Sequence, residues 1–282
     1  MSSSKLSVAG ATALALATGT DARAHHVIAE RGISGVMPST VVAMDWTAAT
    51  FDLPARRGQW QLVTPSFEWQ VWRRLSLFAA LPFGRVAIDG TADRVGLGDL
   101  SVSAKATVFA SDHGGLLVSA GLGLELPTGN ADHGFGGGHL ELTPFLAAAS
   151  TLLEGAGRAL FLYGLGSFRG SLAGPHDDGH PHVHGSGHDH GHVTSGSVVA
   201  PHATREVYGR LMLGALFGRF DFATGVEGAA VVTGDGRGHL GWRSEVGHLW
   251  TQSLRLTGSV DVGISGEERY GVRGRLGVAW MF

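Results

Sequence analysis

The chain is predicted to be all-β, a transmembrane antiparallel up-and-down β-barrel of about twelve strands. Three observations carry that prediction. Long segments alternate apolar and polar residues, the connections between them alternate short and long, and the N-terminus has the layout of an export signal.

The export signal comes first in the chain. Lys5 supplies a positive n-region, Leu6 to Thr18 is a short apolar run, and Ala22-Arg23-Ala24 is an A-x-A cleavage site before His25. The apolar run is well below the ~20 residues that a membrane-spanning helix needs. Residues 1–24 are therefore expected to be a cleaved signal peptide, and 25–38 a periplasmic N-terminal segment ahead of a barrel over 39–282. No later stretch is apolar for long enough to cross as a helix, so any membrane crossing must be made by strands.

The expected strands lie near 39–50, 58–72, 75–86, 97–109, 115–126, 139–152, 158–169, 205–217, 219–232, 239–250, 253–265 and 269–282. Alternation is plainest in the fourth, where Leu100, Val102, Ala104, Ala106 and Val108 face one way. Asp99, Ser101, Ser103, Lys105 and Thr107 face the other. Pro65 and Pro144 interrupt the second and sixth segments, and each implies a bulge or a position without a ladder bond. A soluble β-sandwich also alternates, but its strands run ~5–6 residues, whereas a tilted barrel strand needs ~9–11. Connections after the even segments are short, and most after the odd ones are longer. That is the pattern of short periplasmic turns and long outer loops, with both termini in the periplasm. Trp72, Phe217, Phe220, Trp250 and Trp280 fall at the periplasmic strand ends, at headgroup depth. Phe282, in phase with the apolar face, resembles the terminal aromatic by which barrel-assembly machinery recognises its clients.

Composition narrows the function. A net charge of −3 gives no basic face for nucleic acid, and the absence of cysteine excludes disulfides and thiolate metal sites. The 45 glycines are about twice the usual share, which suits strands that must curve or leave interior room.

Residues 174–202 stand apart. The loop over 170–204 is expected to be extracellular, and it holds His176, His180, His182, His184, His188, His190, His192 and His202, with Asp177, Asp178 and Asp189. Imidazoles at H-x-H and H-D-H spacing on a flexible chain suit Zn²⁺, Cu²⁺ or Ni²⁺ as a ligand, with no cofactor required. The alternative is a solvated low-complexity insertion. His25-His26, at the start of the mature chain, is a weaker metal candidate.

Hairpin pairing brings Asp99 near Glu125 and Glu125 near Glu141, close to the outer mouth with His139 and His133. Neighbouring carboxylates repel unless offset, so this rung is either a cation-binding entrance or is neutralised by an inward arginine such as Arg85 or Arg169. Lys105, Arg210, Asp221, Glu227, Arg243, Glu245, Arg255, Asp261, Arg273 and Arg275 are expected to give the lumen a mixed-charge lining. Twelve strands fall between filled eight-stranded barrels and wide pores, so the lumen is either narrow or closed.

Gly96-Leu97-Gly98-Asp99-Leu100-Ser101-Val102-Ser103-Ala104-Lys105, Leu124-Glu125-Leu126-Pro127-Thr128-Gly129-Asn130 and Leu142-Thr143-Pro144-Phe145 resemble the outer-membrane family named for the MetA pathway of phenol degradation. The resemblance covers about half the barrel. It implies a channel-like barrel for small apolar or aromatic molecules, and the histidine loop is not part of it.

The expected function is thus an outer-membrane channel or transporter, handling divalent transition metal captured by the histidine loop. The alternatives are a channel for small apolar or aromatic molecules and a metal-sequestering or sensing barrel with a closed lumen. An enzyme is not expected. Ser244 and His248 share a strand, but four residues separate them by ~13 Å, and no G-x-S-x-G elbow is present.

Overall fold

The computed structural model describes residues 36–53, 56–111, 115–130, 133–172, 205–232, 238–266 and 270–282. The expected signal peptide, His25-His26 and every histidine of the 174–202 run lie outside them. Among the described residues, fourteen strand segments form one antiparallel sheet. In chain order they are β1 (Val41–Leu53), β2 (Arg56–Trp72), β3 (Leu75–Ala80), β4 (Phe83–Ile88), β5 (Arg94–Leu97), β6 (Leu100–Ala110) and β7 (Leu116–Leu126). There follow β8 (Glu141–Gly155), β9 (Arg158–Ser171), β10 (Arg205–Phe217), β11 (Phe220–Val231), β12 (His239–Leu249), β13 (Leu254–Gly266) and β14 (Val272–Met281).

Successive strands pair all the way round, and β1 pairs with both β2 and β14, so the sheet closes without an edge. β3 and β4 both lie against β2, and together they make one barrel strand. β5 and β6 make the next, so fourteen segments give twelve strands.

At the first split β2 keeps an unbroken register with β1 through Pro65, so of the two expected outcomes it is the position without a ladder bond that occurs, Thr64 and Pro65 having no paired residue in β3 or β4. The interruption falls on the neighbour, at Leu81-Pro82. Ser66 pairs with Ala80 and Val63 with Phe83, so the register runs on, but two prolines now sit side by side without N–H donors. Leu81 N–H still donates to Pro65 O at 3.2 Å. At the second split the register slips by one residue, with Ala80 opposite Ser101 and Phe83 opposite Leu97. Such a bulge re-aims a side chain, and here it turns Asp99 inward. Pro144 behaves as expected. It pairs with Leu122 on one side, while towards β9 no paired residues lie between Leu142–Gly170 and Phe145–Ser167.

Turn chemistry explains one of the two-residue hairpins. Gly155 pairs with Arg158 across Ala156-Gly157, and both central residues have positive φ, 46° and 74°. A two-residue loop of that type matches the strand twist, at the cost of an alanine in a region that favours glycine.

Alternation then sorts the side chains. Met44, Trp46, Phe67, Trp69, Leu146, Leu211, Phe222, Trp242, Val260 and Leu276 stand exposed on the outside. A continuous apolar wall of this size has no place in water and needs lipid against it. Trp72, Phe217, Phe220, Trp250, Trp280 and Phe282 are exposed along the short-turn end, where the His248 ring stacks on Phe220 at 4.2 Å. This is the aromatic girdle of a membrane barrel.

The inside is layered. Phe51, Trp60, Leu62, Val86, Tyr270 and Phe135 form an apolar cluster at the end opposite the short turns. Leu117, Ala147, Ala149, Phe161, Tyr163, Met212, Leu216 and Ala223 form another at the short-turn end. Val36, fully buried, packs into that second cluster with Met37 beside it. The tail of the segment expected in the periplasm therefore enters the lumen. Ser39 N–H donates to Glu68 Oε1 at 3.0 Å and holds it there.

Candidate functional site

Between the two apolar clusters lies a belt of charge carried by β10–β14. Glu227 is its centre. Its carboxylate accepts from Arg210 Nη2 at 2.9 Å, Arg273 Nη2 at 2.8 Å, Tyr208 OH at 2.9 Å and Tyr270 OH at 2.5 Å. Asp261 joins Arg243 Nη1 and Arg273 Nε, each at 2.9 Å. Arg243 Nε also donates to Glu245 Oε2 at 3.0 Å, and Glu245 accepts from the Tyr163 hydroxyl. One rung level towards the short-turn end, Arg255 Nη2 donates to Asp221 Oδ1 at 2.7 Å. Isolated buried charges are very costly, and sharing each carboxylate among several donors is what makes them tolerable.

Strand alternation places the belt. On β11–β14 the inward phase is odd-numbered, so Asp221, Glu227, Arg243, Glu245, Arg255, Asp261, Arg273 and Arg275 share one surface. The ladders then set Arg243 opposite Asp261, Asp261 opposite Arg273, and Arg210 opposite Glu227. Glycine supplies the room. A Cβ on Gly247 would come within 2.5 Å of Arg255 Nη2 and of Asp221, and one on Gly277 within 2.4 Å of Asp45 Oδ1. These side chains lie flat across glycine backbone, a close approach that any side chain would block.

Across the lumen Lys105 pairs with Glu68 at 3.0 Å, and Ser76 donates to the same carboxylate at 2.6 Å. Glu68, Tyr163, Tyr208, Tyr270 and Asp45 were not among the expected lining residues. Glu68, Tyr163, Tyr208 and Asp45 lie in the inward phase of their strands, the only signal that pointed to them, whereas Tyr270 precedes β14 and is out of step with its odd-numbered inward face, so alternation gave no signal for it.

The expected acidic rung at the outer mouth is drawn together around the 127–138 connection. Asp99 accepts from Gly129 N at 2.8 Å and Gly137 N at 2.7 Å, so its carboxylate holds the loop backbone. The register sets Ser101, not Asp99, opposite Glu125, while Glu125 does face Glu141. Glu141 is buried and lies 2.8 Å from His139 Nε2 and 3.4 Å from Arg169 Nε. Arg85 corrects an expectation. It projects outward from β4 and pairs with Asp93, because Val86 and not Arg85 occupies the inward phase. Among the described residues no group of three or more metal-ligating side chains comes together. Ser244 contacts Thr224 Oγ1 at 2.9 Å, while His248 stacks on Phe220, so the two are separately engaged.

A cavity of about 330 Å³ opens beside the belt, lined among others by Asp45, Tyr163, Arg243, Arg255, Ser259 and Arg275.

A closed twelve-stranded barrel with an apolar outer wall, an aromatic girdle and a polar lumen defines a bacterial outer-membrane β-barrel. No protein-family model matches the chain, and no curated protein matches it. Among solved structures it is similar to an outer-membrane channel from Pseudomonas putida F1. The two are 18% identical with a TM-score of 0.62, over 87% of this chain and 96% of that one. The KdgM porin is 10% identical with a TM-score of 0.48, covering 85% and 99%. The NanC porin is 9% identical with a TM-score of 0.45, covering 86% and 100%. At such identities the likeness is one of fold.

Proposed function

We propose that the barrel is a solute-selective channel of the outer membrane, narrow rather than general, for small molecules that combine an apolar body with a polar group. The observation that carries this reading is the layered lumen, with a packed apolar cluster towards each end and a charged belt with an open cavity between them. A solute crossing it must satisfy both environments, which is how small-molecule sites gain specificity. The resemblance to the phenol-degradation family, which implies small apolar or aromatic molecules, supports the apolar body of the solute, and the likeness of fold to a solved outer-membrane channel is in keeping with a channel. The test is conductance in planar bilayers together with solute entry into proteoliposomes. Folded barrel that neither conducts nor admits any small solute above empty vesicles refutes the channel.

A second reading rests on the sequence of 174–202. Eight histidines and three aspartates there would capture Zn²⁺, Cu²⁺ or Ni²⁺ at the surface and raise its concentration at the mouth. Calorimetric titration of zinc and copper into the full chain, and into a chain lacking 174–202, decides it. Binding that survives the deletion, or is absent from both, refutes capture by this run. Phe282 is proposed as the contact for barrel-assembly machinery, and the outer wall as the contact for outer-membrane lipid.

A further inference from the structure

Five arginines stand in the belt, and four of them have a carboxylate oxygen within 3.0 Å: Arg210 at Glu227, Arg243 at Asp261, Arg255 at Asp221 and Arg273 at both Glu227 and Asp261. Arg275 is the exception. Among the described residues no carboxylate lies within ion-pair distance of it. Its ladder neighbours are Thr47 on β1 and Ser259 on β13. Asp45, one rung nearer the periplasm, is the acid whose charge acts on it.

Ser259 and Arg255 share the cavity with Arg275, and each carries a buried polar atom with no hydrogen-bond partner among the described residues, Ser259 Oγ and Arg255 Nε. Both residues are more than nine-tenths buried, at 9% and 8% exposure. Buried donors are almost always satisfied, so unmet ones gathered on one cavity with an unpaired guanidinium point to a ligand. The chemistry is that of an anion. A planar guanidinium binds a carboxylate through two parallel N–H donors, and a serine hydroxyl facing it across the ladder donates a third.

We propose that this cavity binds a small organic monocarboxylate, held by Arg275 and Ser259, with Arg255 adding positive potential from the periplasmic side. Ala43 and Ala279, also in the lining, receive the apolar body. Asp45 sets the charge limit. Its carboxylate lies on the same cavity and repels a second negative charge, while Glu245 is occupied by Arg243 and Tyr163. The site thus names the polar group of the solute class proposed for the channel, and it rests on that reading for its physiological use.

Calorimetry on the full chain refolded in non-ionic detergent, titrated with butyrate, butyramide and succinate, tests the site. Butyrate is expected to bind at least tenfold more tightly than either of the others. Arg275→Gln should weaken butyrate at least tenfold, Ser259→Ala should weaken it less, and Asp45→Asn should let succinate in. If Arg275→Gln does not fold, Arg275→Lys, which keeps the charge but loses the fork, must still weaken butyrate. Equal binding of butyrate and butyramide to the unaltered chain overturns the proposal, as does butyrate binding unchanged in the Arg275 variant. Bilayer recordings separate the two readings. Butyrate binding without conductance refutes the channel alone, and conductance without butyrate binding refutes the site alone.

Discussion

The two sides of the lumen fill the same kind of space with opposite chemistry. On β10–β14, long charged side chains cross the interior and meet in shared pairs, Glu227 and Asp261 each serving two arginines. On β7–β9 the filling is aromatic rings laid on glycine. Phe145 lies over Gly121, and Phe161 lies over Gly214 of the neighbouring β10; a Cβ on either glycine would come within about 2.2 Å of the ring. Both solutions use glycine as a slot, but they differ in energetics. Burying an aromatic ring is favourable in itself. A network of buried ion pairs contributes little net stability while whole, yet a half-removed pair leaves an uncompensated charge. The aromatic side is the stable wall, and the charged side is the wall that can recognise a solute.

That contrast can be broken experimentally. The largest effect is expected from Glu227→Ala, which strips the shared acceptor from two arginines and two tyrosines. Unfolding in urea, followed by tryptophan fluorescence, should show a loss of about 3–5 kcal/mol. Phe161→Ala attacks the other wall, where the ring is 1% exposed. It should cost about 3 kcal/mol through lost burial and a cavity, and a cost below about 1 kcal/mol would deny that this wall is the stable one. The joint replacement Arg255→Met with Asp221→Leu removes a whole pair and should change stability by less than about 1 kcal/mol, or raise it. A loss as large as that of Glu227→Ala would mean that the network stabilises as a unit. The smallest effect belongs to the rim. Ala156→Gly relieves a positive φ and should stabilise by about 0.5 kcal/mol, the left-handed strain of alanine less the added chain entropy of glycine.

Much of this was legible in the residues. The alternation over Leu100–Val108 and Leu254–Ile264 marked the faces, because the side-chain period of a strand is two and lipid on one side demands an apolar wall. The spans 75–86 and 97–109 were right as barrel strands but not as continuous ladders. The break at Leu81-Pro82 depends on which proline meets which across the sheet, and that is set by register. Phase alone put Arg243, Arg255, Asp261 and Arg273 inside. Arg85 was nonetheless misplaced, although the even-numbered inward phase of Ser76 runs on through the break to Val86 and leaves Arg85 outside. Phase did not single out Glu68, Tyr163 or Asp45, because an inward polar residue looks the same whether or not a partner waits across the lumen.

The sequence by itself determined the closed all-β architecture, the outer apolar wall and the mixed-charge interior. All of these follow from local periodicity and from the requirement that lipid-exposed backbone be fully paired. Only the tertiary structure decided who pairs with whom. Asp99 holds a loop backbone, Val36 enters the short-turn end of the lumen, Glu227 serves two arginines, and among the described residues Arg275 has no carboxylate within ion-pair distance. Those outcomes depend on the register of strands far apart in the chain and on which glycines leave a gap opposite, neither of which is written in any single strand.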